Sequence, residues 1–148
     1  MFFFMSLTEW TTTFVKHKDM LKQQIVSLEE KHGVVHAILK GDKRQDYFVF
    51  EKTVDIKHLE DAGKKSDADP NYSINDVCYN TPENWKLLVL HWKEMAAHTR
   101  LLFYFVNPKS LTDLKWTINP WLHNRISDPA SLETGLKSMA SMVEEWKG

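Results

Sequence analysis

Lys115, Trp116, Trp121, His123 and Arg125 fall within one segment, Lys115-Trp116-Thr117-Ile118-Asn119-Pro120-Trp121-Leu122-His123-Asn124-Arg125. From Arg100 to Arg125 there are four basic residues and one acid, Asp113. Cations that follow phosphates, interleaved with indole rings that stack on bases, are the components of a single-stranded nucleic-acid groove. The same set fits a pocket for a phosphorylated small molecule, or a protein interface anchored by Trp and Arg. In a purely architectural role, Trp116 and Trp121 plug one end of the core while His123 and Arg125 tie down a loop.

A second constellation is His91, Glu94 and His98, whose helical spacing projects two imidazoles and a carboxylate from one side. Such groups ligate zinc or iron. They do not reproduce the His-Glu-x-x-His spacing, and the same trio is also what the wet face of an amphipathic helix looks like. Cys78 is the single cysteine. Between Val77 and Tyr79 it reads as a small buried hydrophobe, and no thiol-enzyme signature surrounds it. With five glycines, scattered, the chain has neither a P-loop nor a dinucleotide fingerprint.

The elements that position these residues come from a chain of ordinary globular composition, 43% hydrophobic and 26% charged. Its 148 residues fit one domain able to bury its own core. A net charge of −1 gives no global attraction to a polyanion, so such a partner needs a local patch. Met1-Phe2-Phe3-Phe4-Met5 is too short for a secretory apolar region, and no run is long enough to span a membrane. The reading is a soluble, cytoplasmic protein with no membrane partner. The three adjacent phenylalanines are a candidate oligomerisation contact, and Met5 is an alternative start.

Ser6-Leu7-Thr8-Glu9 has the form of a capping box, and Trp10, Phe14, Leu21, Ile25 and Leu28 continue one apolar stripe. This predicts a helix from Ser6 to Lys31-His32, ended by Gly33 as a left-handed cap. Val34–Lys40 and Tyr47–Phe50, joined by polar Gly41–Gln45, predict a β-hairpin. Asp55 to Asn75 reads as a short helical turn plus loop, and Ile74–Tyr79 as a short third strand. Thr81-Pro82 starts a second helix through Trp85, Leu88, Val89, Trp92 and Ala96. Leu101–Val106, without a polar residue, predicts a strand buried on both faces. Asn107-Pro108 stops it, Lys115–Ile118 is the next strand, and Asn119-Pro120 breaks that. From Asp128-Pro129 a last helix carries Leu132, Leu136, Met139, Val143 and Trp146 to the C-terminus. The expected fold is one α/β sandwich: a mixed sheet of four to five strands flanked by three main helices, in the order α-β-β-(β)-α-β-β-α.

Over Ser6 to Val106 this order resembles the core of the restriction-endonuclease-like (PD-(D/E)XK) fold, in element order rather than motif. The resemblance implies a Mg- or Mn-dependent nuclease acting on DNA or RNA, with Asp46 as first carboxylate, Asp76 as second and Glu30 assisting. The family's Glu-x-Lys is not reproduced: the third strand reads Asn75-Asp76-Val77-Cys78, and Glu51-Lys52 lacks the intervening residue. The reading preferred from the residues is therefore a non-catalytic binding or assembly domain working through the Lys115–Arg125 segment, with single-stranded nucleic acid or another protein as partner.

Overall fold

The computed structural model describes residues 6–111 and 113–148, so the proposed Phe2–Phe4 contact lies outside the described residues. Six strands, β1 (Ile25–Lys31), β2 (Val34–Leu39), β3 (Lys43–Phe50), β4 (Tyr72–Tyr79), β5 (Leu101–Val106) and β6 (Lys115–Ile118), lie side by side in chain order. The outer pairs β1–β2, β2–β3 and β5–β6 are antiparallel, whereas β3–β4 and β4–β5 are parallel. Parallel neighbours need a long return path. Here α2 (Ile56–Ala68) supplies the first return, and α3 (Pro82–Leu90) with α4 (Trp92–Met95) supplies the second. α1 (Leu7–Asp19) precedes the sheet, and α5 (Pro120–Ile126) and α6 (Leu132–Ala140) follow it.

The period-2 alternation of each strand divides the core in two. On one face α1 sets Leu7, Trp10 and Val15 against Val35, Tyr47, Val49, Val77 and Tyr104. On the other face Leu59, Leu88, Met95 and Leu136 from the remaining helices bury Phe48, Ile74, Phe103, Phe105 and Trp116. β5 is buried on both sides, as its composition predicts. This is the expected mixed α/β sandwich, with six strands rather than four to five and six α-helices among the described residues.

Four elements differ from expectation. The first helix stops at Asp19, and Ile25–Lys31 is an edge strand. Asp19 itself ends the helix, its two carboxylate oxygens accepting the Gln24 and Ile25 amides at 2.9 and 3.0 Å. Gly33 is left-handed as predicted (φ +77°), but with His32 (φ +52°) it makes the two-residue turn of the β1–β2 hairpin instead of a helix cap. The polar stretch after Asp55 is a 13-residue helix, whose buried stripe Leu59, Ala62, Gly63 and Ser66 is too small in volume to read as apolar. Asn119-Pro120 starts a helix rather than merely breaking a strand: the Asn119 side chain accepts the Leu122 amide. The last helix ends at Ala140. The chain then crosses the end of the sheet, so Val143 packs in one core layer and Trp146 stacks on Tyr79 in the other, 4.1 Å between ring centroids.

That crossing is held by asparagines at the exits of the parallel strands. Asn80 Nδ2 donates to the carbonyls of Ala140, Val143 and Glu144, and its Oδ1 accepts the Trp116 indole N–H at 2.8 Å. Asn107 Nδ2 donates to Glu144 and Glu145, and Asn84 bridges Val54 to Tyr79. No helix among the described residues is long and apolar enough to cross a membrane.

Candidate functional site

The hairpin register fixes the most organised polar group in the molecule. His36 and Asp46 stand five residues either side of Gly41 and are direct cross-strand partners. Their side chains project to the face opposite α1, and His36 Nδ1 lies 2.7 Å from Asp46 Oδ1. The other oxygen, Oδ2, accepts the Tyr72 hydroxyl at 2.7 Å from the start of β4. Arg44 lays its guanidinium on the Tyr72 ring, 4.2 Å from the centroid. Burial, then the hydrogen bond to Asp46, pushes the Tyr72 hydroxyl well above its ordinary pKa, so it remains a donor. A carboxylate only accepts, so His36 Nδ1 is the donor in this contact and Asp46 positions the ring of a side chain that is 36% exposed.

Asp76 shares this face on the adjacent strand, one rung further along, beside Phe48 and Phe103. It is fully buried, and neither carboxylate oxygen has a hydrogen-bond partner among the described residues. Burial holds its carboxyl well above the usual range, and the Cys78 thiol offsets only part of that. Cys78 is buried too, its thiol pushed up by the same burial and by Asp76. Glu30 does not join them. It belongs to β1 rather than to a helix end, its register partner Val35 faces α1, and its Oε1 accepts the Gly33 amide. Among the described residues no group of three or more His, Cys, Asp or Glu has metal-binding geometry, and that includes Asp46, Asp76 and Glu30.

The same holds for His91, Glu94 and His98. His91 ends α3 with non-helical torsions, so the helical spacing is broken in the middle. His98 is a clamp: Nδ1 meets Asp67 at 2.7 Å and Nε2 meets Glu60 at 2.8 Å. Burial lowers its pKa, but the two carboxylates outweigh that and raise it overall, so the imidazolium ties α2 to the turn before β5. Gly63 is required there, since a Cβ would come within 2.6 Å of the His98 ring.

The Lys115–Arg125 segment is divided by the sheet. Trp116 is buried against Phe105, ring centroids 4.2 Å apart, and belongs to the core. Lys115 points to the α1 face, over Phe14 and Tyr104. Trp121, His123 and Arg125 remain together on α5. The Arg125 guanidinium lies 3.7 Å from the Trp121 ring centroid and donates to the Trp121 carbonyl. His123 meets Trp92 edge-on, and Trp92 Nε1 donates to Asn124 at 2.9 Å, bracing α5 on α4. Leu122 and Ile126, one turn apart, are 48% and 75% exposed, as is Leu90 at 74%.

Sequence reasoning missed His36 and Tyr72 as partners of Asp46, although the hairpin turn makes the His36–Asp46 pairing readable. It also missed the asparagine latches and the Glu60–His98–Asp67 clamp, which join positions far apart in the chain. No protein-family description, curated protein or solved structure matches this chain. Fold and site define it as an open mixed-sheet α/β domain with a partly exposed His36–Asp46 pair and an exposed aromatic–arginine corner.

Proposed function

We propose that the chain is a non-catalytic binding and assembly domain that docks a protein partner through the α4–α5 corner. The Trp121–Arg125 stack carries this reading. Tryptophan and arginine are the side chains that most often dominate the energy of protein interfaces, and here they sit beside exposed Leu122 and Ile126 on a helix braced by Trp92. With Lys115 on the opposite face and Trp116 buried, the corner lacks the line of cations and open rings that a single-stranded nucleic acid follows. The test is affinity capture with the full chain and with Trp121→Ala, Arg125→Ala and Ile126→Asp, beside light scattering for self-association. A stoichiometric protein partner, or a second copy, retained by the chain and by Lys65→Ala but lost in all three corner variants supports the reading. Retention of every partner in those variants refutes it.

The nuclease alternative is favoured by one observation, Asp46 and Asp76 on the same face of adjacent strands. Against it, both Asp46 oxygens are engaged, and burial raises the Asp76 carboxyl well above its usual range. Labelled DNA and RNA incubated with Mg, with Mn and with chelator discriminate: metal-dependent cleavage that disappears in Asp46→Asn, with the fold intact, makes this an enzyme.

A further inference from the structure

The α1 face gathers three lysines around a single groove-wall carboxylate, Asp19. Lys18, in the last turn of α1, and Lys22, in the turn that follows it, line a groove of about 210 Å³ together with Val15, Asp19, Gln45 and Tyr47. From β6, Lys115 Nζ comes within 5.3 Å of the Phe14 ring, and Lys18 Nζ within 6.0 Å of the same ring. Partial desolvation, then repulsion from Lys22 and Lys115, lowers the Lys18 pKa. Asp19, the acid in the groove wall, has already given both oxygens to backbone amides. Among the described residues none of the three lysines has an ion-pair partner. The Tyr47 hydroxyl donates to Gln45 Oε1, which leaves the Gln45 amide N–H groups as further donors.

Two ammonium groups on the wall of a concavity with neutral donors, and a third from Lys115 close enough to repel Lys18, are stabilised by a multiply charged anion. We propose that this groove binds the phosphate group of a small phosphorylated ligand. Its volume lies below the roughly 300–1,000 Å³ of sites that enclose a whole drug-sized ligand, so the groove holds the phosphate end while the rest of the molecule stays outside. A nucleic-acid strand is disfavoured because Tyr47 and Tyr104 are buried and Phe14, the partly exposed ring, is already stacked on Trp10, which leaves no row of open rings for successive bases. The inference is independent of the α5 corner, which lies off this face.

Calorimetric titration of inorganic pyrophosphate into the full chain tests it, with Lys18→Ala, Lys22→Ala and Lys115→Ala alongside. The expected result is saturable binding at one site, weakened about tenfold by each substitution, which is about 1.4 kcal/mol per lost ammonium contact. Thermal melts of each variant beside the parent chain separate weaker binding from unfolding. Absence of saturable heat, equal binding in all variants, or equal displacement by chloride at matched ionic strength overturns the proposal. So does a 5′-phosphorylated oligonucleotide whose affinity rises with its length, which reassigns the groove to nucleic acid.

Discussion

Replacing Asp76 with asparagine separates the charge of the buried carboxyl from its shape. In the folded chain the group is fully buried, and burial, only partly offset by the Cys78 thiol, raises its carboxyl well above the usual range. In the unfolded chain it titrates near about 3.9. A folded pKa raised above the unfolded one means that stability is greatest below the unfolded value and is lost as pH rises toward the folded one. Across that window the unfolded state gives up a proton that the folded state keeps, so each pH unit costs about 1.4 kcal/mol. Asparagine is close to isosteric and has no such proton. The stability of Asp76→Asn minus that of the parent chain should therefore climb as pH rises above about 3.9, with a slope approaching about 1.4 kcal/mol per pH unit until the folded carboxyl itself titrates. Any constant offset from packing the amide leaves that slope untouched, and other groups titrate alike in both proteins and cancel. Urea unfolding followed by tryptophan fluorescence reads the difference directly. A flat difference, or one that falls with pH, refutes the assignment of Asp76 as an uncompensated buried acid.

The His98 clamp predicts a similar trend in a higher window: with its folded pKa raised, the advantage of the parent chain over His98→Gln is complete below about pH 6.5 and shrinks as pH rises through the folded value, which thermal melts against pH will show. A pH-independent difference contradicts it. Gly63→Ala forces a methyl into the His98 ring and should destabilise by about 1–3 kcal/mol, with much of the loss absent when the same change is made in a His98→Ala background. Asn80→Ala leaves the Trp116 indole N–H and several carbonyls without their partner, so a loss of about 3 kcal/mol and faster proteolysis after residue 140 are expected; unchanged stability denies Asn80 its role as latch.

What could be read from the residues in order was the locally encoded part of the fold. Thr81 accepts the Asn84 amide as the Thr-Pro start predicts, and the unbroken apolar run of β5 is buried on both faces. Gly33 illustrates the limit: its left-handed backbone was legible, but a helix cap and a hairpin turn both use that conformation, and only pairing with β2 decides between them. α2 was missed because close approach of the His98 ring demands glycine where a helical stripe normally shows a large apolar side chain. At the candidate sites, Lys115 and Trp116 were grouped by proximity in sequence, yet strand alternation sends them to opposite faces. Asp46 was picked out as a metal-binding carboxylate, not as a hydrogen-bonding partner. Its role as a partner for His36 and Tyr72 depended on pairings across three strands.

The asparagine latch also bears on how the chain matures. Asn80 finds its carbonyl partners 60 to 64 residues later, and Asn107 waits for Glu144 and Glu145. While the ribosome is still adding those residues, β4 and β5 can pair, but their exits carry amides with nothing to bind and a Tyr79 ring with no Trp146 over it. Contacts this distant in sequence form slowly, and a partly assembled sheet is the kind of species that chaperones hold and proteases cut. The 140–146 segment supplies those partners, with Val143 in one core layer and Trp146 in the other, and so joins the two layers at one end of the sheet.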